Sequence, residues 1–136
     1  MIASALRAAA IAGVTLDTGA LLALDQPSKR LLVQAHLDEV RKGSGSICVP
    51  VSVIAQAWRS PRQARLAQLL KSSDVEIAIL TPAAARVVGV MCGASGSADI
   101  VDVHVALCAR ERQHAVVTSD PDDMARVDPR LPLIRV

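Results

Sequence analysis

The chain is 136 residues long, 51% apolar and 21% charged, the profile of one domain with a packed core. This excludes a disordered charged tail, a collagen-like chain and a disulfide miniprotein. The formal net charge of +2 conceals a segregation: ten of the thirteen acids are Asp, six of those ten lie between Asp99 and Asp128, and residues 40–73 hold none.

The first apolar run, Val14–Leu16, predicts a strand ending at Asp17, with Thr18-Gly19 turning it into a short helix. Leu31, Leu32, Ala35 and Val40 recur near helical spacing over residues 28–42, and Gly43-Ser44-Gly45 ends that element. Ile47–Val49 is a second strand closed by Pro50. Two short helices follow, over residues 51–58 and 61–70, the second with a stripe of Ala64, Leu66, Ala67, Leu69 and Leu70. A third strand over residues 75–80 leads to Thr81-Pro82, a capping hydroxyl before a proline at the first helical position. That helix ends by Gly93–Gly96, and Ser97 is the expected cap of the next, which runs to about Arg112. Residues 115–118 are a fourth strand with 119–123 as its exit turn, and residues 132–136 a short fifth.

Strands alternating with helices predict an α/β three-layer sandwich around a mainly parallel sheet of about five strands. Residues 1–13 read as an N-terminal extension and residues 14–136 as a single domain. No stretch approaches the roughly 18 apolar residues of a membrane span. Cys48, Cys92 and Cys108 form no CxxC or CxxH pair, so they read as buried thiols of a protein in the reducing cytoplasm. His36, His104 and His114 are equally scattered, which argues against zinc. Phe and Tyr are absent and Trp58 is the sole aromatic. An aromatic base-stacking platform is therefore not expected, and Trp58 is assigned to the core.

Ligands of parallel sheets sit beyond the carboxyl ends of the strands, and the acids fall there. Asp17 follows the first strand and Asp120 the fourth, while Asp99 and Asp102 share one face near a helix start. Asp123 lies three beyond Asp120. Each has a local explanation: Asp99 suits the positive end of a helix, and Asp120, Asp122 and Asp123 beside Pro121 suit a turn. Asp128 beside Pro129 reads as a solvated turn residue. Asp17 and Asp102 are harder to explain locally, since each interrupts an apolar run. Several carboxylates in one pocket repel each other unless protonated or bridged by a cation. An oxygen-only donor set selects a hard divalent ion, Mg²⁺ or Mn²⁺.

Three segments, Leu16-Asp17-Thr18-Gly19-Ala20-Leu21, Asp102-Val103-His104-Val105-Ala106-Leu107-Cys108-Ala109 and Val117-Thr118-Ser119-Asp120-Pro121-Asp122-Asp123, resemble PIN-domain proteins, and among them the VapC toxins of bacterial toxin–antitoxin pairs. The resemblance runs from about Val14 to the C-terminus. It implies a five-stranded parallel sheet between helices and a Mg²⁺- or Mn²⁺-dependent endoribonuclease. It also implies a homodimer and an antitoxin partner that blocks the site. By position, Asp17, Asp102 and Asp120 match the family's catalytic, metal-holding acids. Asp123 matches an accessory acid, Asp99 is an additional one, and Thr18 supports the site. The sequence departs from the pattern at Gln56, where the family usually places a Glu. A neutral amide there subtracts one negative charge, and Asp99 and Asp123 are the candidates to compensate.

Arg59, Arg62 and Arg65 recur every three residues just after Gln56, in the acid-free span. They are expected to line one side of a helical stretch and to contact RNA phosphates or an acidic antitoxin tail. His104 reads as a packed residue. Two other classes remain open: a PIN-fold module that binds RNA or antitoxin without cutting, and a phosphoryl-accepting receiver domain. The second lacks the Lys expected near the last strand, where Arg135 is the only base.

Overall fold

The computed structural model describes residues 11–136. Residues 1–10 of the expected extension lie outside it, while its end joins the sheet: β1 begins at Gly13. The Ala12 amide donates to the Gln113 carbonyl at 2.8 Å and its carbonyl accepts from the Ser46 amide at 3.1 Å.

The elements are β1 (Gly13–Leu16), α1 (Thr18–Ala23), α2 (Arg30–Lys42), β2 (Ser46–Pro50), α3 (Val51–Ala57), α4 (Ala64–Leu70), β3 (Val75–Ala78), α5 (Pro82–Ser95), α6 (Ile100–Arg112), β4 (His114–Thr118), α7 (Pro121–Val127) and β5 (Leu133–Arg135). All strand pairs are parallel in the order β3-β2-β1-β4-β5. The fold is thus an α/β three-layer sandwich. The central strands are buried on both faces, which is why they read as short unbroken apolar runs. Val14, Leu16, Val49, Val116 and Val117 are fully enclosed.

The polar groups that share this core are paired. His114 at the start of β4 bonds through Nδ1 to Thr15 Oγ1 (3.0 Å) and through Nε2 to Ser46 Oγ (2.7 Å), tying three strands at one end. No buried side-chain polar atom among the described residues lacks a partner. Among them, no single helix is long and apolar enough to cross a membrane.

Four local expectations are corrected. Asp99, not Ser97, caps α6: its Oδ1 accepts the Asp102 amide at 3.0 Å, and Ser97 Oγ instead accepts the Asp99 amide. A carboxylate is at least as good a cap as a hydroxyl and also complements the helix dipole. Residues 121–123 are not only a turn but the first turn of α7, started by Pro121 behind the cap Asp120. This is the same signal that Thr81-Pro82 gives α5. Asp128 is buried, 4% exposed, because Arg110 reaches it at 2.6 Å. Trp58 is 39% exposed rather than enclosed, because α3 ends at Ala57 and the chain leaves the core there.

Candidate functional site

β1, β2 and β3 run outward from the sheet centre in one direction, β4 and β5 in the other. The connections leaving β1 and β4 therefore part, and a crevice opens beyond their carboxyl ends. Asp17 and Asp120 stand at its two sides. The Asp17 amide continues the ladder to the Val117 carbonyl at 3.1 Å. The buried Thr118 hydroxyl lies beside the Asp17 carboxylate and favours its charged form, and it accepts the Asp120 amide at 2.9 Å. One threonine thus fixes both acids, a role that its sequence position at a strand end does not announce.

Close packing of the Ser119 side chain on Gly19 completes the arrangement. A Cβ on Gly19 would lie 1.8 Å from Ser119 Oγ and 2.8 Å from Ser119 Cβ. With Ser119 opposite, glycine lets the start of α1 nest against the turn leaving β4.

Three of the acids cap helices. Asp17 accepts the Ala20 amide (3.0 Å), Asp99 the Asp102 amide (3.0 Å) and Asp120 the Asp123 amide (3.3 Å). The helix N-termini of α1, α6 and α7 therefore contribute their acids to one region, and Asp102 and Asp123 sit one turn into α6 and α7. Local capping accounts for Asp99 and Asp120 as helix starters, but not for the gathering of five carboxyls.

That gathering has an electrostatic signature. Burial, then the charges of Asp99, Asp17, Asp123 and Asp120, push the Asp102 carboxyl up to about 6. Burial also raises Asp17, against the hydrogen bonds it accepts from Thr118 and the Ala20 amide. Asp123 is raised chiefly by its hydrogen-bonded neighbour Asp120. Asp99, Asp102 and Asp123 line a cleft of about 290 Å³ with Ser95, Ser97 and Arg126. Arg126, which the sequence reading passed over, reaches Asp123 at 2.7 Å and is the cation of that cleft. Its spacing, three residues after Asp123, was the available signal.

The donors suit a hard cation in kind: all are carboxylate oxygens, and none is thiolate or imidazole. As placed, no three acidic, His or Cys side chains among the described residues stand close enough to hold one ion. Closing on an ion would need carboxyl rotation, with water completing the shell as Mg²⁺ prefers. A larger cavity of about 460 Å³ lies at the opposite end of the sheet, by Gln113 and His114. Its charged walls, Arg110, Arg130 and Asp128, are spent on each other.

No protein-family model matches the chain, and no curated protein matches it.

Gln56 lies where α3 meets α1: the Thr18 hydroxyl donates to its Oε1. Both supporting residues are thus at the site's edge, joined to each other. The arginines are not brought together as expected. Arg59 follows the end of α3, Arg62 is in the next turn, and only Arg65 lies on α4. Arg59 Nη1 is bound to the carbonyls of Ala55 and Trp58. Arg65 instead borders a separate groove with Arg41 and Gln68. The acid-free span is also not acid-free in space. The Asp25 carboxylate accepts the Arg65 and Leu66 amides at the start of α4, and Asp74 pairs with Arg41. His104 is buried and bonded to Ser52 Oγ at 2.6 Å, a packed residue as expected.

Proposed function

We propose that this chain is a divalent-metal-dependent endoribonuclease, the toxin of a toxin–antitoxin pair acting in the cytoplasm as a homodimer. The observation that carries the reading is the convergence of five aspartates beyond β1 and β4, with Asp102 raised to about 6 by its neighbours. Three sequence segments resembling PIN-domain toxins add to it. Asp17, Asp102 and Asp120 would hold Mg²⁺ or Mn²⁺, with Asp99 and Asp123 supplying the charge that Gln56 does not. The ion would supply neutralisation of phosphodiester charge and acidification of water. Asp17 and Asp120 are oriented for this by Thr118, and Thr18 holds the Gln56 amide at the rim. Arg59 and Arg62 are the exposed cations just beyond Gln56 and suit RNA phosphates; Arg65 belongs to another surface. The antitoxin would block the same acidic crevice.

The test is cleavage of end-labelled RNA with Mn²⁺ or Mg²⁺, beside Asp17→Asn and Asp102→Asn. Loss of cleavage in both variants and in EDTA is expected. Cleavage that survives either variant or the chelator overturns the reading.

A second reading is favoured by Gln56, whose Oε1 is occupied by Thr18 and whose amide carries no charge. On that reading the chain binds RNA or antitoxin without cutting. RNA bound but left intact at saturating Mn²⁺ distinguishes it.

A further inference from the structure

The three cysteines end in two settings. Cys92 is half-buried and on its own on α5, while Cys48 of β2 and Cys108 of α6 are buried against each other and Ala78. Their side chains pack together in one buried cluster, and His104, one turn before Cys108, stands close enough to influence the same thiol. None of these groups serves the acidic crevice. The interaction between the two side chains drives them apart in acidity: it holds Cys108 down against its burial, and pushes Cys48 up together with burial. The Arg112 guanidinium, one turn after Cys108, favours the Cys108 thiolate as well.

The cover over this pair is thin. Ala78 belongs to β3, the edge strand of the sheet, whose Glu76 and Ile77 are exposed. Glu76 is clamped by Arg112 through two bonds, Nε to Oε1 at 2.9 Å and Nη2 to Oε2 at 2.7 Å. Arg112 Nη1 also donates to the Cys108 carbonyl at 3.1 Å. The ion pair thus latches the edge strand to α6 beside the two thiols.

We propose that Cys48 and Cys108 are a redox-active dithiol that closes to a reversible disulfide between β2 and α6 on exposure to a peroxide. Closing the bond brings the two sulfurs to about 2 Å from each other. The Cys108 thiolate attacks one peroxide oxygen, the O–O bond breaks, and the departing hydroxide takes up the proton released as the Cys108 thiol ionised, leaving as water while the sulfenic acid forms. The Cys48 thiol then attacks that sulfur, and the sulfenic oxygen leaves as a second water. Two thiols and one hydrogen peroxide become one disulfide and two waters, with two electrons passing to the peroxide. The bond would tie the strand leading into the Gln56 helix to the helix that carries Asp102.

The experiment treats the full chain with hydrogen peroxide, then counts thiols in denaturant with a maleimide mass label. Parent protein is expected to fall from three labelled cysteines to one, on Cys92, with a linked Cys48–Cys108 peptide in the digest and full recovery in dithiothreitol. Glu76→Gln should speed this several-fold by releasing the latch. Cys48→Ser should retain no linked species. Three labels persisting in both parent and Glu76→Gln overturn the proposal, as does label loss without the linked peptide. The peptide map of parent protein decides the matter even where Cys48→Ser does not fold.

Discussion

The Thr18 hydroxyl donates to the side-chain oxygen of Gln56, joining the first residue of α1 to the last full turn of α3 at the rim of the acidic crevice. The bond fixes the neutral Gln56 amide at that rim. A Glu there can accept the same hydroxyl with one oxygen and keep the other free. Gln56→Glu is therefore expected to leave folding intact and tighten Mn²⁺ binding about tenfold, near 1.4 kcal/mol, in calorimetric titration. Unchanged affinity would show that position 56 does not face the ion.

Asp99 combines two roles that substitution can separate. Its carboxylate caps α6, and its charge contributes to raising Asp102. Asp99→Ala loses both and should cost about 1 kcal/mol of stability in urea unfolding. Asp99→Ser keeps a capping oxygen and should restore most of that stability, while leaving Mn²⁺ affinity as low as in the Ala variant. Equal metal affinity in the parent and Ser proteins would reduce Asp99 to a cap.

The raised Asp102 carboxyl predicts a pH dependence. Its neutral form is favoured in the fold, with the midpoint moved from 3.8 to about 6. The stabilisation is complete below the unfolded value and is lost as pH rises through about 6. In EDTA, the Tm of Asp102→Asn should match the parent near pH 4 and exceed it increasingly up to neutral pH. Burial lowers His114 to about 4, so it acts in the opposite sense, lowering stability as pH falls from its ordinary range. That contribution is common to both proteins and cancels in the difference. Addition of Mn²⁺ at neutral pH should erase the advantage of the variant. A Tm difference independent of pH contradicts the electrostatic account.

Gly19 is required by contact, not by backbone conformation. Gly19→Ala drives a methyl into Ser119 and should destabilise by about 1–3 kcal/mol, with loss of RNA cleavage as Asp17 and Asp120 shift. Removing the obstacle in Gly19→Ala/Ser119→Gly should recover much of the Tm. No recovery would place the strain elsewhere.

Much of the strand pattern was legible because parallel strands buried on both faces leave unbroken apolar runs, and Val14–Leu16 and Ile47–Val49 are such runs. The helix over α5 is legible from Thr81-Pro82, whereas the same kind of signal in Asp120-Pro121 is obscured by the acids that crowd it and suggests a turn alone. Asp128 departs from its sequence expectation for a related reason. Its neighbour Pro129 suggests solvent, but the deciding partner, Arg110, sits on another element. Trp58 failed in the other direction: hydrophobicity argued for the core, and the end of α3 put it at the surface. The arginine triplet had helical spacing on paper, but its three residues straddle a break between helices.

The sequence alone determined what local rules can carry: the alternation of strands and helices, an aspartate after the first and fourth strands, the pair Asp99 and Asp102 on one face, and an uncharged amide at Gln56. The tertiary structure decided which of these meet. Strand order placed β1 beside β4 and so opened the crevice, Thr118 joined Asp17 to Asp120, and Arg126 joined the acids. It also set Cys48 against Cys108, far apart in the chain. Capping and periodicity act within a few residues, while mutual repulsion of carboxyls and contact of thiols depend on distance in space, which only the packed sheet fixes.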